Sequence, residues 1–393
     1  MANITLNSST YAGYFSDVVL ASSVLGARAV DNGYLTVHTE VSDKMTAVFV
    51  DSDVSIDDAN GAFSSSSTTN LSEIKFTLGK YMINAEIDYK NLDNFWLASQ
   101  QPRGAAGAYV PPASLEDALN LHFSKKMSAF VGASLWCGSA SAIELFGSSQ
   151  NISQGGSNAV TGLIAKMEAD ASVVDVAIGG TYKQAATGIS AAANAVFTVA
   201  STADYAVGDK VTVVGMTDGA NTADNGKTFT IDAIIDATTF TCGFDASGAG
   251  GSDTGTITCI TKENVVAALE QMYQQMSDSI RLEEDTAFYV PSHVAAAYKM
   301  KQAQDAYAPN VYSSDYVLAY LGYPLLEDPA QRPNTIVCAR KASLHFATPL
   351  LSDLNSVLIV DQASVNASRT IRYRMDSAFS VNISGGKDIT LLS

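Results

Sequence analysis

From Tyr34 to Tyr89 the chain reads with a period of two, and this stretch constrains the fold more than any other. YLTVHTEVSDKMTAVFVD and LSEIKFTLGKYMINAEIDY each alternate apolar with polar residues, and the Ser- and Asp-rich run Ser52 to Asn70 separates them. Alternation at this period belongs to strands with one covered face, so the spacing predicts two long strands joined across a polar tip. A lone two-stranded hairpin is marginal in water. Something else has to cover it, either the rest of the chain or another molecule.

The second organising stretch is SLEDALNLHFSKKMSAFVGASLW, Ser114 to Trp136. Ser114 stands where an N-cap belongs, and Asp117 completes a capping box and complements the helix dipole. Leu115, Leu119, Phe123, Met127, Phe130 and Ala133 then recur at three and four residues, which predicts one long helix with a single buried stripe. At about 1.5 Å per residue it is on the order of 30 Å long, enough to act as a spine.

Composition removes several function classes. A formal charge of -17 over 393 residues argues against a surface that grips phosphate backbones, which needs clustered Lys and Arg. With 47% hydrophobic and only 16% charged residues, the chain is expected to fold, into two or three domains. Cys137, Cys242, Cys259 and Cys338 form no CxxC pair and are expected as reduced, mostly buried thiols. MANITLNSST lacks a basic segment followed by an apolar run, and no stretch is long and apolar enough to span a bilayer. Folding in a cytoplasm, with no membrane partner, is the expectation.

Around the two organising stretches the chain divides by pattern. Residues 1–33 read as an irregular arm, 34–90 as the extended hairpin, and 91–148 as a Pro- and Gly-punctuated connector plus the helix 114–136. Residues 149–183 and 259–361 read as an α/β region. It includes a helix after Asn158, a helix from a Thr261 cap, the strand TAFYVP and a helix over Ser292 to Gln304. The strands around Gly322, NTIVCAR and SVLIVDQ complete it. Residues 362–393 end in RTIRYRMDSAFSVNI, which alternates cleanly. Between 184 and 258 the composition turns to Ala, Gly, Thr and Asp. Five short runs, VFTVAS, DKVTVVGM, KTFTIDAIID, TTFTCGFD and GTITCI, predict an inserted antiparallel barrel or sandwich whose ends lie close together.

Chemistry finds little support. NTADNGKT, Asn221 to Thr228, ends like a phosphate-binding loop, but Asn221 replaces the first glycine and a strand pattern follows where a helix is required. A turn through Asp224, Asn225 and Gly226 explains it better. GASLWCG carries Trp136 where a nucleophile elbow needs glycine. His38, His122, His293 and His345 lie far apart in sequence, without ligand spacing, and structural or surface roles are favoured. Asp51, Asp53, Asp57 and Asp58 lack the glycine and closing Glu of a calcium loop and read as a solvated acidic tip. No catalytic residue, metal or cofactor is expected.

The order of arm, hairpin, spine helix, α/β region and terminal strands resembles the major capsid proteins of tailed double-stranded DNA bacteriophages, whose fold is shared with herpesvirus capsid floors and encapsulins. TAFYVPSHVAAAYKM, YLGYPLLEDPAQRPNTIVCARKASLHFATPLLSDLNSVLIVD and TIRYRMDSAFSVNI carry the resemblance, which covers the chain except the insertion. It implies an α+β fold with a peripheral domain (91–148 and 362–393) and an axial domain (149–183 and 259–361). It also implies that the hairpin lies on a neighbouring subunit and that the insertion faces outward. The implied function is structural: self-assembly into hexamers and pentamers of an icosahedral shell around double-stranded DNA, located in the virion and assembled in a host bacterial cytoplasm, with scaffold, portal and decoration proteins as further partners. Arg103, Lys125, Lys126, Arg372 and Arg374 are then candidates to meet the acidic tip, Asp51, Asp53, Asp57 and Asp58, of a neighbour. The alternatives are an encapsulin-like compartment holding an enzyme cargo and, from a different class, a monomeric surface adhesin.

Overall fold

A computed structural model describes residues 9–10, 28–41, 44–53, 68–88, 127, 129–138, 143–144, 151–152, 160–219, 221–248, 253–304, 318–349, 357–361 and 370–393. The fold is α+β and includes a small closed β-barrel. Two compact units divide the chain, one comprising Met1–Ser141, Ser153–Gly162 and His345–Asn382, the other Ala142–Ile152, Leu163–Leu344 and Ile383–Ser393.

The first unit is built on the closing strand Thr370–Ile383. Gly79–Asp88 runs antiparallel to it for ten residues, from Asp88 opposite Thr370 to Gly79 opposite Phe379. Val357–Asp361 pairs with the same strand, and Leu344–Ala347 and then Thr36–His38 extend the sheet. The last two are parallel to each other. Leu344–Ala347 lies inside the stretch KASLHFATPLLSDLN, which has too short an alternating run to be read as a strand.

Against this sheet lies the C-terminal part of the predicted spine, helical over 129–137. Its Phe130 ring is 4.9 Å from Tyr81 and 6.2 Å from Phe379, so the strand Gly79–Asp88 and the closing strand share one aromatic contact with the helix. Tyr81 in turn accepts a 2.7 Å hydrogen bond from the Val160 amide. A single buried stripe is expected from the spacing, yet Val131, Ala133, Ser134, Leu135 and Trp136 are all fully buried. VGASLW offers no polar face to water, and a helix without one is covered all round. The N-terminal part of the predicted helix, including its Ser114 and Asp117 cap, lies outside the described residues.

The helix ends at Gly138, where Gly162 passes closely enough for its amide to donate 2.6 Å to the Gly138 carbonyl. A Cβ on Gly162 would sit 2.4 Å from the Gly138 nitrogen and 2.6 Å from the Trp136 carbonyl oxygen. Both are backbone atoms and cannot swing aside. Gly162→Ala is expected to cost about 1–3 kcal/mol, as overpacking does, measured as a shift in the denaturation midpoint.

The second unit holds a six-stranded mixed sheet in the order Ala319–Tyr320, Tyr323–Glu327, Thr286–Val290, Ile336–Arg340, Thr390–Leu392, Val174–Asp175. Thr286–Val290 is buried at every position, as its continuous apolar run requires. Helices Val265–Gln275 and Ser292–Gln304 cover it, with Val265, Leu269, Met272, Val294 and Tyr298 in one core with Phe288 and Ile336. Two details differ from the sequence pattern. The helix proper begins at Val265, one turn beyond Thr261, whose Oγ1 accepts the Glu263 amide and whose carbonyl accepts the Val265 amide. The backbone then goes extended at Met276, so Ile280 reaches the core from a separate short helix, Asp278–Arg281.

Within this unit, strands Lys183–Ile189, Val196–Thr198, Lys210–Val214, Thr228–Ile234, Thr239–Cys242 and Asp253–Thr258 close into an antiparallel barrel around Phe197, Phe240 and Phe244. That resolves the choice between barrel and sandwich. The sixth strand is KQAATGI, whose Ala and Gly content masks a strand in the sequence. Lys183 stands opposite Thr258, so the chain enters and leaves the barrel at one place.

Asn334 seats the barrel on the α/β body. It is fully buried with a left-handed backbone, φ 57°. Its Nδ2 donates to the Lys210 carbonyl at 2.7 Å and its Oδ1 accepts the Ile260 amide at 3.1 Å. The His293 Nε2 lies 2.9 Å from the same Oδ1 and 3.2 Å from the Asn334 amide nitrogen, while its buried Nδ1 has no partner among the described residues. Burial pulls the His293 imidazole down from its usual range to about 4. The unfolded chain therefore binds a proton here that the folded chain refuses, and stability is lost as pH falls from about 6.5 towards 4. Barrel amides are expected to lose exchange protection over that window, and His293→Gln to flatten the dependence.

Candidate functional site

The period-two stretch forms a ribbon whose strands Lys44–Asp53 and Thr68–Thr77 pair antiparallel through ten consecutive residue pairs, Lys44 opposite Thr77 and Asp53 opposite Thr68. Among the described residues it is a two-stranded sheet with no third strand on either edge. Such edges offer free backbone donors and acceptors to another chain. Up to Val48, the polar face carries Lys44, Thr46, Glu73 and Lys75, all exposed, together with Val48, which is 64% exposed. The other face carries Met45, Ala47, Ile74 and Phe76.

The root of the ribbon is buried. Phe76 is fully covered and forms a cluster with Val41, Leu78, Ala347 and Ala378, against which Met45, Ala47 and Ile74 pack in part. Asn382 Nδ2 donates to the Lys75 carbonyl at 3.1 Å, tying the root to the closing strand. After Leu78 the chain changes partner. LSEIKFTLGKYMINAEIDY alternates without a break, but Thr68–Thr77 pairs within the ribbon and Gly79–Asp88 pairs with the closing strand. The predicted second strand is thus two strands in line.

At the root the structure also brings together two histidines that the sequence separates by 307 residues. His38 Nε2 and His345 Nδ1 are 3.2 Å apart, and the Phe76 ring lies 5.5 Å from His38 and 6.0 Å from His345. Burial, and next the His38 charge, pull His345 down to about 4. Spacing in sequence carries no trace of this pair, because its two strands meet only through the parallel pairing of Thr36–His38 with Leu344–Ala347.

Of the candidate contact residues, Asp51 and Asp53 lie on the distal half of the ribbon, opposite Asn70 and Thr68. Asp57, Asp58, Arg103, Lys125 and Lys126 lie outside the described residues. Arg372 and Arg374 are exposed on the closing strand, opposite Glu86 and Asn84, on a face shared with exposed Lys80 and Met82. Arg374 is engaged within its own chain: its Nε is 3.1 Å from the Asp376 carboxylate. An exposed pair of this kind is worth at most about 1 kcal/mol, so it yields to a better partner.

Two of the stretches weighed for chemistry adopt other geometry. Asn221 to Thr228 is a short 3-10 turn, Thr222–Asp224, then Gly226 at φ 81° and a strand. Ser134 of GASLWCG is a fully buried helix residue. Among the described residues no three His, Cys, Asp or Glu side chains could hold a metal ion, the four cysteines are free, and no helix is long and apolar enough to cross a membrane.

No family model matches the chain, and no curated protein does. Solved structures to which the chain is similar include the capsid of a native GTA particle, 14% identical over 93% of this chain and 89% of that one, TM-score 0.48. The procapsid of satellite phage P4 with its size determination protein is 10% identical over 96% and 98%, TM-score 0.48. A virus-like particle from Pyrococcus furiosus is 7% identical over 96% and 98%, TM-score 0.42.

Proposed function

We propose that this chain is the subunit of a closed icosahedral shell, the major capsid protein of a tailed bacteriophage, with double-stranded DNA inside. The observation that carries the reading is the ribbon: ten residue pairs long, anchored by a buried cluster at its root, with both edges open among the described residues. A sister copy that covers those edges supplies what a two-stranded sheet lacks in water. In this reading the first unit is the peripheral body that receives a neighbour's ribbon. The sheet and helices of the second form the axial body of a hexamer or pentamer, and the barrel lies outward.

Contacts of this kind are heterologous, and rings of them close when the rotation fits. The acidic distal ribbon, with Asp51, Asp53, Asp57 and Asp58, then faces basic residues of the next copy, drawn from Arg103, Lys125, Lys126, Arg372 and Arg374. Scaffold, portal and decoration proteins are the further partners, the virion is its location, and the host cytoplasm its place of assembly. The net charge of -17 suits a wall that encloses DNA without holding it.

The test is nuclease protection in particles purified from infected or expressing cells. DNA that survives nuclease inside closed particles supports the capsid reading. Closed particles that hold protein cargo and no DNA, made in the presence of a packaging system, would transfer the chain to the compartment class.

A further inference from the structure

We infer that the distal half of the ribbon is seated, through the face its own chain leaves bare, on the exposed sheet face of a second copy, with Val48 on Met82. This seat presupposes the shell reading and gives a neighbour's ribbon a defined landing place. Register divides the ribbon into two faces. On one, the apolar residues stand at the root, Met45 and Ala47 opposite Phe76 and Ile74, and belong to the cluster on the chain's own body. Further out that face turns polar, with Asp51 and Asp53 opposite Asn70 and Thr68. The other face runs the opposite way. It starts with Lys44 and Thr46 opposite Thr77 and Lys75, and continues with Val48, then Val50 opposite Leu71. Hydrophobic character therefore changes sides near Val48. Apolar positions repeated on one face of a strand mark a face that is to be covered, and Val48, where this run begins, is 64% exposed. The body that covers the root does not reach it.

Charge decides which surface fits. From Met45 to Ile74 the chain carries Asp51, Asp53, Asp57, Asp58 and Glu73 and no Lys or Arg. Two ribbons laid face to face would bring these carboxylates together, and like charges across an interface oppose it. The complementary surface is in the first unit. Where Gly79–Asp88 runs beside Thr370–Ile383, Lys80, Met82, Asn84, Arg372 and Arg374 are all exposed on one face, with Met82 opposite Asp376 and Asn84 opposite Arg374. Met82, 59% exposed, is thus an apolar spot on a face with three cations, and its unbranched side chain adapts to what lands on it. Glu73 stands directly opposite Val48, so placing Val48 on Met82 carries Glu73 towards those cations. Glu73 lies 3.3 Å from Lys75 and Arg374 lies 3.1 Å from Asp376, and exposed pairs of this kind exchange partners at little cost. The contact is heterologous, ribbon of one copy to sheet of the next, as a ring requires.

The experiment combines Val48→Cys with Met82→Cys in the full-length chain, oxidises the assembled particles and reads them on a denaturing gel without reductant. A disulfide forms only where the two Cα atoms lie roughly 4.4–6.8 Å apart. Three native cysteines are buried and Cys137 is half-buried, so the parent runs as the control. A ladder of covalent multimers is expected from the double variant, and monomer from the parent and from each single variant. A dimer from either single variant would mean that like surface meets like, and would overturn the seat. Closed particles of the double variant that stay monomeric on the gel would overturn it as well, while the shell reading survives both results. A parent that forms no particles ends that reading and the seat with it. Should the double variant fail to assemble, Val48→Asp carries the test, since the position is exposed in the single chain and the fold does not depend on it. Particle yield is expected to drop by at least about tenfold, from a carboxylate buried against an apolar partner, and to recover with Met82→Lys. Unchanged yield, or a loss that Met82→Lys does not recover, would overturn the seat.

Discussion

Phe76→Ala is expected to free the ribbon from its root, at a cost of about 3–5 kcal/mol where the residue is packed as here. Phe76 is fully buried, and its neighbours Val41, Leu78, Ala347 and Ala378 come from four separate stretches that cannot all collapse into the space it leaves. The loss should be local. Exchange protection across 44–53 and 68–77 falls, while the barrel and the sheet of the second unit keep theirs. If ribbons join copies, closed particles are lost as well, because the strand that must reach a neighbour no longer leaves its body at a fixed angle. Phe76→Leu, which keeps most of the volume, is expected to cost less than half as much. A Phe76→Ala variant with unchanged ribbon protection would mean that the root is held by something other than this cluster.

Asn334→Ala is expected to unseat the barrel. The substitution removes the hydrogen bonds that Asn334 makes to the Ile260 amide and the Lys210 carbonyl, and the buried Ile260 amide left unpaired costs about 1–3 kcal/mol. Ala also tolerates the left-handed backbone less well than Asn. Asn334→Gly separates the two causes, since it relieves the backbone and still removes both hydrogen bonds. Chemical denaturation should rank the parent above Asn334→Gly and Asn334→Gly above Asn334→Ala, with lost protection concentrated in the barrel strands. Equal stability of all three would show that the seat lies elsewhere.

What the sequence made legible follows the range of each interaction. The helix Ser292–Gln304 and the strand Thr286–Val290 can be read to within a residue, since caps, apolar runs and proline act over a few positions. The turn between Tyr320 and Tyr323 could be placed at Gly322 because a tight turn there demands a positive φ, which Gly322 adopts at 91°. Alternation from Lys44 onward gave the covered face of the ribbon. It could not reveal that the pairing partner changes at Leu78, because a period of two is the same whichever strand lies alongside.

Long-range pairs were out of reach for the same reason. Neither His38 nor His345 carries a local signal of the other, and Lys183–Ile189 becomes a strand only because the barrel has to close. One contact could have been found sooner: Arg374 and Asp376 are two apart on a strand, hence on one face, and within reach of each other.

The central claim is that the ribbon is completed by a sister copy, and electron cryo-microscopy of the purified full-length chain tests it most directly. The account predicts closed particles in which residues 44–53 and 68–77 of each subunit lie against the body of the next. A monomer in solution, with the ribbon folded over its own sheet and both edges covered from within, would contradict it.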